Sequence, residues 1–298
     1  MTPPVLKFRE PSLDDCETVR ETLFHVEQSD LAFANIYLLR HKYGTRIALH
    51  DGVLYRHFTG DGRLKGYAFP VGNQFDVRQA LFHVEQHAKY HGNALQFTLL
   101  TEDDARVLQK VYGDKISFSD DPGNADYLYL QSDLVNLPGT AYHKKRNQIA
   151  RFERIYPDWD FVPLMDRNAD DALSIAHGWI AVQEPSANHV HELRAIENAI
   201  RDRVSLGITG WLLYVNDEPA AFSLASYINY EVVDIHYEKC VPQYRDAYPI
   251  IIREVARYMC SKYINREEDL NIPGLRQAKL SWKPHHILHK LTANVNLC

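Results

Sequence analysis

One order of elements is legible twice along the chain, and that repetition limits the fold more than any single motif. In the first half, helical patterns at residues 12–28 and from Ser29 onward precede strand-like runs at 46–50, 53–58 and 64–70. Asp51-Gly52 and the Gly60–Gly62 segment separate the runs, and turns this short make neighbouring strands pair antiparallel. A helix at 76–91 and a strand at 94–100 follow, then a helix opened by Thr101 with Asp104 three residues on, a capping-box start. A hairpin of 116–119 with 127–131 is expected to close the unit.

The second half repeats the scheme. A basic helix at 140–155, a strand at 160–164 and helices at 170–182 and 190–206 precede a meander of 210–215, 219–227 and 232–237, with Asn216-Asp217 as a tight turn. A helix at 248–262 and a final short strand complete it. The expected fold class is α/β with two tandem units, each a mixed, mainly antiparallel sheet flanked by helices. The expected division is 1–133 and 134–298, with 132–139 as linker and Pro138-Gly139 as its breaker. A literal repeat, LFHVEQ at 23–28 and 81–86, does not share this period and reads as coincident helix-surface composition.

Composition removes several classes of function. The 298 residues are 45% hydrophobic and 24% charged, enough for a full core. A net charge of −6 argues against a broad nucleic-acid-coating surface while leaving room for a local basic patch. The first residues, MTPPVLKFREPSLDD, contain no apolar segment of the kind a signal peptide requires, and no run reaches the ~18 apolar residues of a membrane helix. Cys16, Cys240, Cys260 and Cys298 are scattered without a C-x-x-C pair, as expected of free thiols in a reducing cytoplasm.

The stretch from Val232 to Tyr248 carries the most chemistry. A strand leads through Glu238-Lys239-Cys240-Val241-Pro242 into Gln243-Tyr244-Arg245-Asp246-Ala247-Tyr248 and a long helix. This resembles the strand–loop–helix junction of the GNAT fold, whose Q/R-x-x-G-x-G/A loop binds the pyrophosphate of acyl-CoA through backbone N–H groups. Gln243 fits the first position, and Arg245 joins it as a substrate-binding candidate. Asp246 and Tyr248 stand where glycines belong: one adds like charge, the other blocks close backbone approach.

SDLAFANIYLLR (29–40), LYLQSDLVNLPGTAYHKKRNQIARFER (128–154), DIHYEKCVPQYRDAYP (234–249) and NREEDLNIPGLRQAKLSWKP (265–284) together resemble the family of phosphatidylglycerol lysyltransferase C-terminal domains. The resemblance implies a tandem GNAT-like fold and kinship with enzymes that move an aminoacyl group from aminoacyl-tRNA, the Fem-type peptidoglycan-bridge transferases among them. The membrane flippase region of the lysyltransferase has no counterpart here.

Candidate residues follow, each with an ordinary alternative. The resemblance implies that Lys279, expected on a strand-like run at 278–282, stabilises the ester carbonyl or ribose end; otherwise it snorkels over a domain edge. Asp234, His236 and Glu238 alternate on one strand face and suit a general base, or else a solvated sheet face. Val233, Ile235 and Tyr237 then form the core face. Tyr142, Lys144, Lys145 and Arg146, with Arg151 and Arg154, form a basic helix for tRNA or a phospholipid head group, or a solvated face. Asn265 and Arg266 are expected to line the site, with Arg266 pairing Glu268 or Asp269. His189-x-His191 and His285-His286-x-x-His289 could hold a metal only with acidic or cysteine partners placed by the fold; there is no H-E-x-x-H, and no metal site is expected.

Three functions compete on this reading. One is an aminoacyltransferase moving the group from aminoacyl-tRNA to an amine or hydroxyl acceptor, a small molecule or lipid head group. The second is an N-acyltransferase using acyl-CoA through an altered loop. The third is a non-catalytic GNAT-like binding module. No resident cofactor is expected beyond an aminoacyl-tRNA or acyl-CoA co-substrate.

Overall fold

A computed structural model describes residues 3–23, 26–60, 62–120, 122–184 and 186–296. Residues 24 and 25 of the first LFHVEQ copy, Asp61 of an expected turn, and Cys298 lie outside the described residues.

Among the described residues the chain forms two seven-stranded sheets. The first runs in the order Thr45–His50, Val53–Phe58, Gly66–Tyr67, Leu95–Leu100, Leu291–Val295, Ile116–Asp120, with Val71–Gly72 also on Val53–Phe58. The second runs His286–Leu288, Asp126–Leu130, Tyr263–Asn265, Val232–Cys240, Glu218–Tyr227, Thr209–Val215, Trp159–Pro163. Most pairs are antiparallel; Val232–Cys240 with Tyr263–Asn265 is parallel, as is Gly66–Tyr67 with Leu95–Leu100. The expected α/β architecture of two mixed, mainly antiparallel sheets flanked by helices is the one observed.

Local rules explain most helices. Asp76 caps the helix Val77–His91 by accepting hydrogen bonds from the N–H groups of Arg78 and Gln79. Its buried positions Ala80, Leu81, Val84, His87 and Ala88 recur every three to four residues and pack into a core with Tyr67, Phe97, Leu100 and Ala293. Each large aliphatic side chain so buried contributes about 1.5–3 kcal/mol. Thr101 and Asp104 form the expected capping box at the start of Glu102–Tyr112. Gly66 holds a left-handed φ of 79°, and a Cβ there would stand 2.2 Å from the Gln96 carbonyl oxygen.

Several expectations change. The first helix spans only Cys16–Arg20, the run at 64–70 keeps strand geometry only at Gly66–Tyr67, and part of the linker forms a helix at Gln131–Asn136. The largest change is in strand partnership. Ile116–Asp120 and Asp126–Leu130 do not form a hairpin: the former pairs with Leu291–Val295 in the first sheet, the latter with Tyr263–Asn265 in the second. The compact units are therefore discontinuous: 1–126, 268–275 and 287–298 form one, and 127–267 with 276–286 the other. A cut between 133 and 134 does not describe them.

Candidate functional site

The candidate chemistry gathers in the second unit around one strand, Val232–Cys240. It pairs antiparallel with Glu218–Tyr227 and parallel with Tyr263–Asn265, the chain returning through the helix Tyr248–Tyr258. Leu224 faces Tyr237 while Ala225 faces Ile235, so His236 is the extra residue of a β-bulge. Both faces of the strand are buried from Val232 to Tyr237, which removes the solvated-face alternative for Asp234 and His236.

His236 is enclosed by polar partners. Its Nε2 lies 2.8 Å from Ser226 Oγ, and its Nδ1 lies 3.2 Å from Asp234 Oδ2 and 3.7 Å from Glu267 Oε1. Burial opposes the imidazolium, but Asp234 and Glu267 outweigh it and raise the pKa to about 9. A fully buried, protonated imidazole held at both nitrogens is poorly placed to take a proton from a substrate; its single charge is shared between two carboxylates. The three ligand-type atoms lie within 4.8 Å of one another, a spacing compatible with a cation, and a proton on His236 offsets one of the two carboxylate charges.

Glu267 arrives from a tight turn. Asn265, fully buried on the strand end, accepts the N–H of Glu267 at 2.8 Å, and Glu267 has a left-handed φ of 56°. Lys279 donates to the carbonyls of Arg266 and Glu267, the latter at 3.2 Å. Lys279 lies on a helix, Pro273–Leu280, rather than a strand, because Pro273 opens a helix where its fixed φ fits and its missing N–H costs nothing. Its 8% exposure and its carbonyl partners make it a brace for the turn, in place of the edge position that snorkelling requires.

The turn directs Arg266 onto Glu238, forming a largely buried ion pair in place of the expected pairing with Glu268 or Asp269. Glu268 instead pairs with Arg63. The Arg266 guanidinium lies 5.9 Å from the Tyr129 ring. Tyr248, one of the glycine-replacing residues, has its phenol pKa raised by burial and by the nearby Cys240 and Glu238.

The basic helix spans His143–Ile155, with Ile149 and Phe152 buried, and divides its cations among different tasks. Lys145 reaches inward, 2.8 Å from Ser281 Oγ and 4.3 Å from the Trp282 ring centroid. Tyr142 is buried and donates to the Trp282 carbonyl at 2.9 Å. Arg146 donates to the carbonyls of Leu137 and Gly139, closing the preceding turn. Lys144 is exposed, as are Gln243 and Arg245 on the 3-10 segment Pro242–Ala247, and Arg151 lies 3.4 Å from Asp246 at the surface. Arg266 therefore links Glu238 through its side chain, Lys279 through its carbonyl and Lys145 as a neighbouring cation, Asp234 and His236 join through Glu267, and Lys144, Arg146, Gln243 and Arg245 stay outside the group.

A model of the family described as "Phosphatidylglycerol lysyltransferase, C-terminal" matches residues 21–294. The chain belongs to that family. Its sequence is 26% identical over 180 residues to an uncharacterized protein of Mycoplasmoides gallisepticum, covering 58% of this chain and 56% of that protein. The chain thus spans little more than half of that curated relative. A conserved protein of unknown function from Bacteroides thetaiotaomicron has the same fold at a TM-score of 0.92 and 32% identity, over 98% of this chain and 100% of that one. L-PGS from Bacillus licheniformis is similar in fold, with a TM-score of 0.69 and 14% identity over 97% and 94% of the two chains. Membership in a family described as phosphatidylglycerol lysyltransferase supports a transferase role. No helix among the described residues is long and apolar enough to cross a membrane.

Ser226, Glu267, Tyr248, Ser281 and Trp282 were not singled out from the sequence as site residues. Glu267 lies in the dense polar run at 265–269, a visible signal; the others reach the group only through tertiary packing.

Proposed function

We propose that this member of the lysyltransferase C-terminal family moves an aminoacyl group from aminoacyl-tRNA to an amine or hydroxyl acceptor. The observation that carries the reading is the largely buried Arg266–Glu238 pair with Lys145 near the Arg266 guanidinium, beside a helix start that lacks glycine. The fixed Arg266 guanidinium favours the oxyanion that develops as an ester carbonyl is attacked. Asp246 and Tyr248 at the helix start disfavour a pyrophosphate and therefore acyl-CoA. Exposed Lys144 and Arg154 provide phosphate contacts for the tRNA, whose 3′ end would enter beside Lys145. The acceptor is a small molecule or lipid head group, and the compartment is the cytoplasm, in keeping with free thiols at Cys16, Cys240 and Cys260.

Filter retention of aminoacyl-tRNA at low salt tests the reading. The protein should bind, and Lys144→Glu with Arg154→Glu should weaken binding and flatten its salt dependence. No retention at low salt sinks the reading. Stabilisation by acetyl-CoA, at RT ln(1+[L]/Kd), would instead favour the acyl-CoA alternative.

A further inference from the structure

Lys145 is an unusual amine. It lies in the first turn of His143–Ile155, where the helix dipole presents positive charge, and it is half-buried. Ser281 Oγ accepts its hydrogen bond at 2.8 Å while that hydroxyl donates its own proton to the Ala278 carbonyl at 2.6 Å. The Trp282 ring face lies 4.3 Å away. No carboxylate lies within ion-pair distance of Lys145 among the described residues; its charged neighbour is Arg266, itself committed to Glu238. Surface lysines keep their proton because water solvates it; this one has a hydroxyl, a ring face and a neighbouring cation. Burial, then Arg266, lowers its pKa to about 8. A lysine desolvated beside another cation is a recognised route to a neutral, reactive amine near physiological pH.

We propose that Lys145 is the proton acceptor of the transfer, taking the proton of the acceptor amine or hydroxyl as that group attacks the aminoacyl ester carbon. The inference rests on the transferase reading above. As the new carbon–nitrogen or carbon–oxygen bond forms, the nucleophile's proton passes to Lys145 Nζ. When the tetrahedral intermediate collapses, the carbon–oxygen bond to the ribose breaks and the ammonium returns that proton to the departing ribose oxygen. Lys145 ends as it began, and Arg266 offsets the transient oxyanion.

Two measurements on the full chain decide it. Competitive labelling with trace acetic anhydride from pH 6 to 11, read peptide by peptide, should place the Lys145 midpoint near 8, against about 10.4 for lysine reference peptides labelled alongside. A Lys145 midpoint with the reference peptides overturns the proposal whatever the substrate. Single-turnover transfer from aminoacyl-tRNA should fall about 10²–10⁴-fold in Lys145→Arg, which keeps the charge but not the basicity, with tRNA retention unchanged. Lys145→Met should fall similarly. A normal rate from Lys145→Arg overturns the proposal alone, whereas absence of transfer by the wild type removes the transferase reading and the proposal together.

Discussion

Replacing His236 by glutamine tests the buried Asp234–His236–Glu267 group directly. The folded pKa, raised from 6.5 to about 9, means that the fold binds this proton more tightly than the unfolded chain. The stabilisation is complete below about pH 6.5 and is lost as pH rises through about 9. At about 1.4 kcal/mol per unit, the gap corresponds to about 3 kcal/mol. Glutamine cannot take up the proton, so the stability difference between wild type and variant should be about 3 kcal/mol larger at pH 6 than at about pH 9.5. Lost packing adds a pH-independent part that cancels in the comparison. All four tryptophans, Trp159, Trp179, Trp211 and Trp282, belong to the second unit, so their fluorescence during urea unfolding follows that unit alone. An equal difference at both pH values would refute the claim that the carboxylates hold His236 charged.

Other outcomes follow from the same reasoning. Lys290→Met removes the buried ammonium 2.8 Å from both Asp126 and Asp30, leaving Asp30 to Arg56 and Asp126 to the Ser29 N–H and hydroxyl, and should cost about 3–5 kcal/mol in denaturant unfolding. Glu238→Gln leaves the Arg266 guanidinium without its counter-charge; thermal unfolding should show a loss of about 3 kcal/mol, and the Lys145 labelling midpoint should fall further. Thr101→Ala removes the capping box of Glu102–Tyr112 and should cost about 1 kcal/mol, with Thr101→Ser restoring most of it.

Features set by neighbouring residues were legible in the sequence. The meander from Thr209 to Cys240 followed from strand-forming runs and a two-residue turn at Asn216-Asp217, and Thr101 with Asp104 announced a helix start. Strand partnership was not legible, because DYLYL at 126–130 is apolar enough for the centre of either sheet and nothing local names its neighbour. The placement of Lys279 failed for a related reason: AKLSW suits a short strand by composition, and Pro273 decides for helix only once the preceding turn is in place. Alternation put Asp234 and His236 on one face, but only the folded chain brings in Glu267 and turns a supposed base into a buried cation. Of the basic run, Lys144 and Lys145 are adjacent and indistinguishable by composition. Helix rotation sends one to water and the other against Trp282.

The placement of Leu291–Val295 between Leu95–Leu100 and Ile116–Asp120 has a consequence for synthesis. The amino-terminal sheet leaves the ribosome with a gap beside its edge strand 116–120, and the strand that fills it follows almost the whole second unit in sequence. Until then the edges of 95–100 and 116–120 present open backbone donors and acceptors to any strand nearby. The first unit can finish folding only after almost the whole second unit has been translated, so synthesis of Leu291–Val295, rather than completion of the first 130 residues, sets when that unit becomes native.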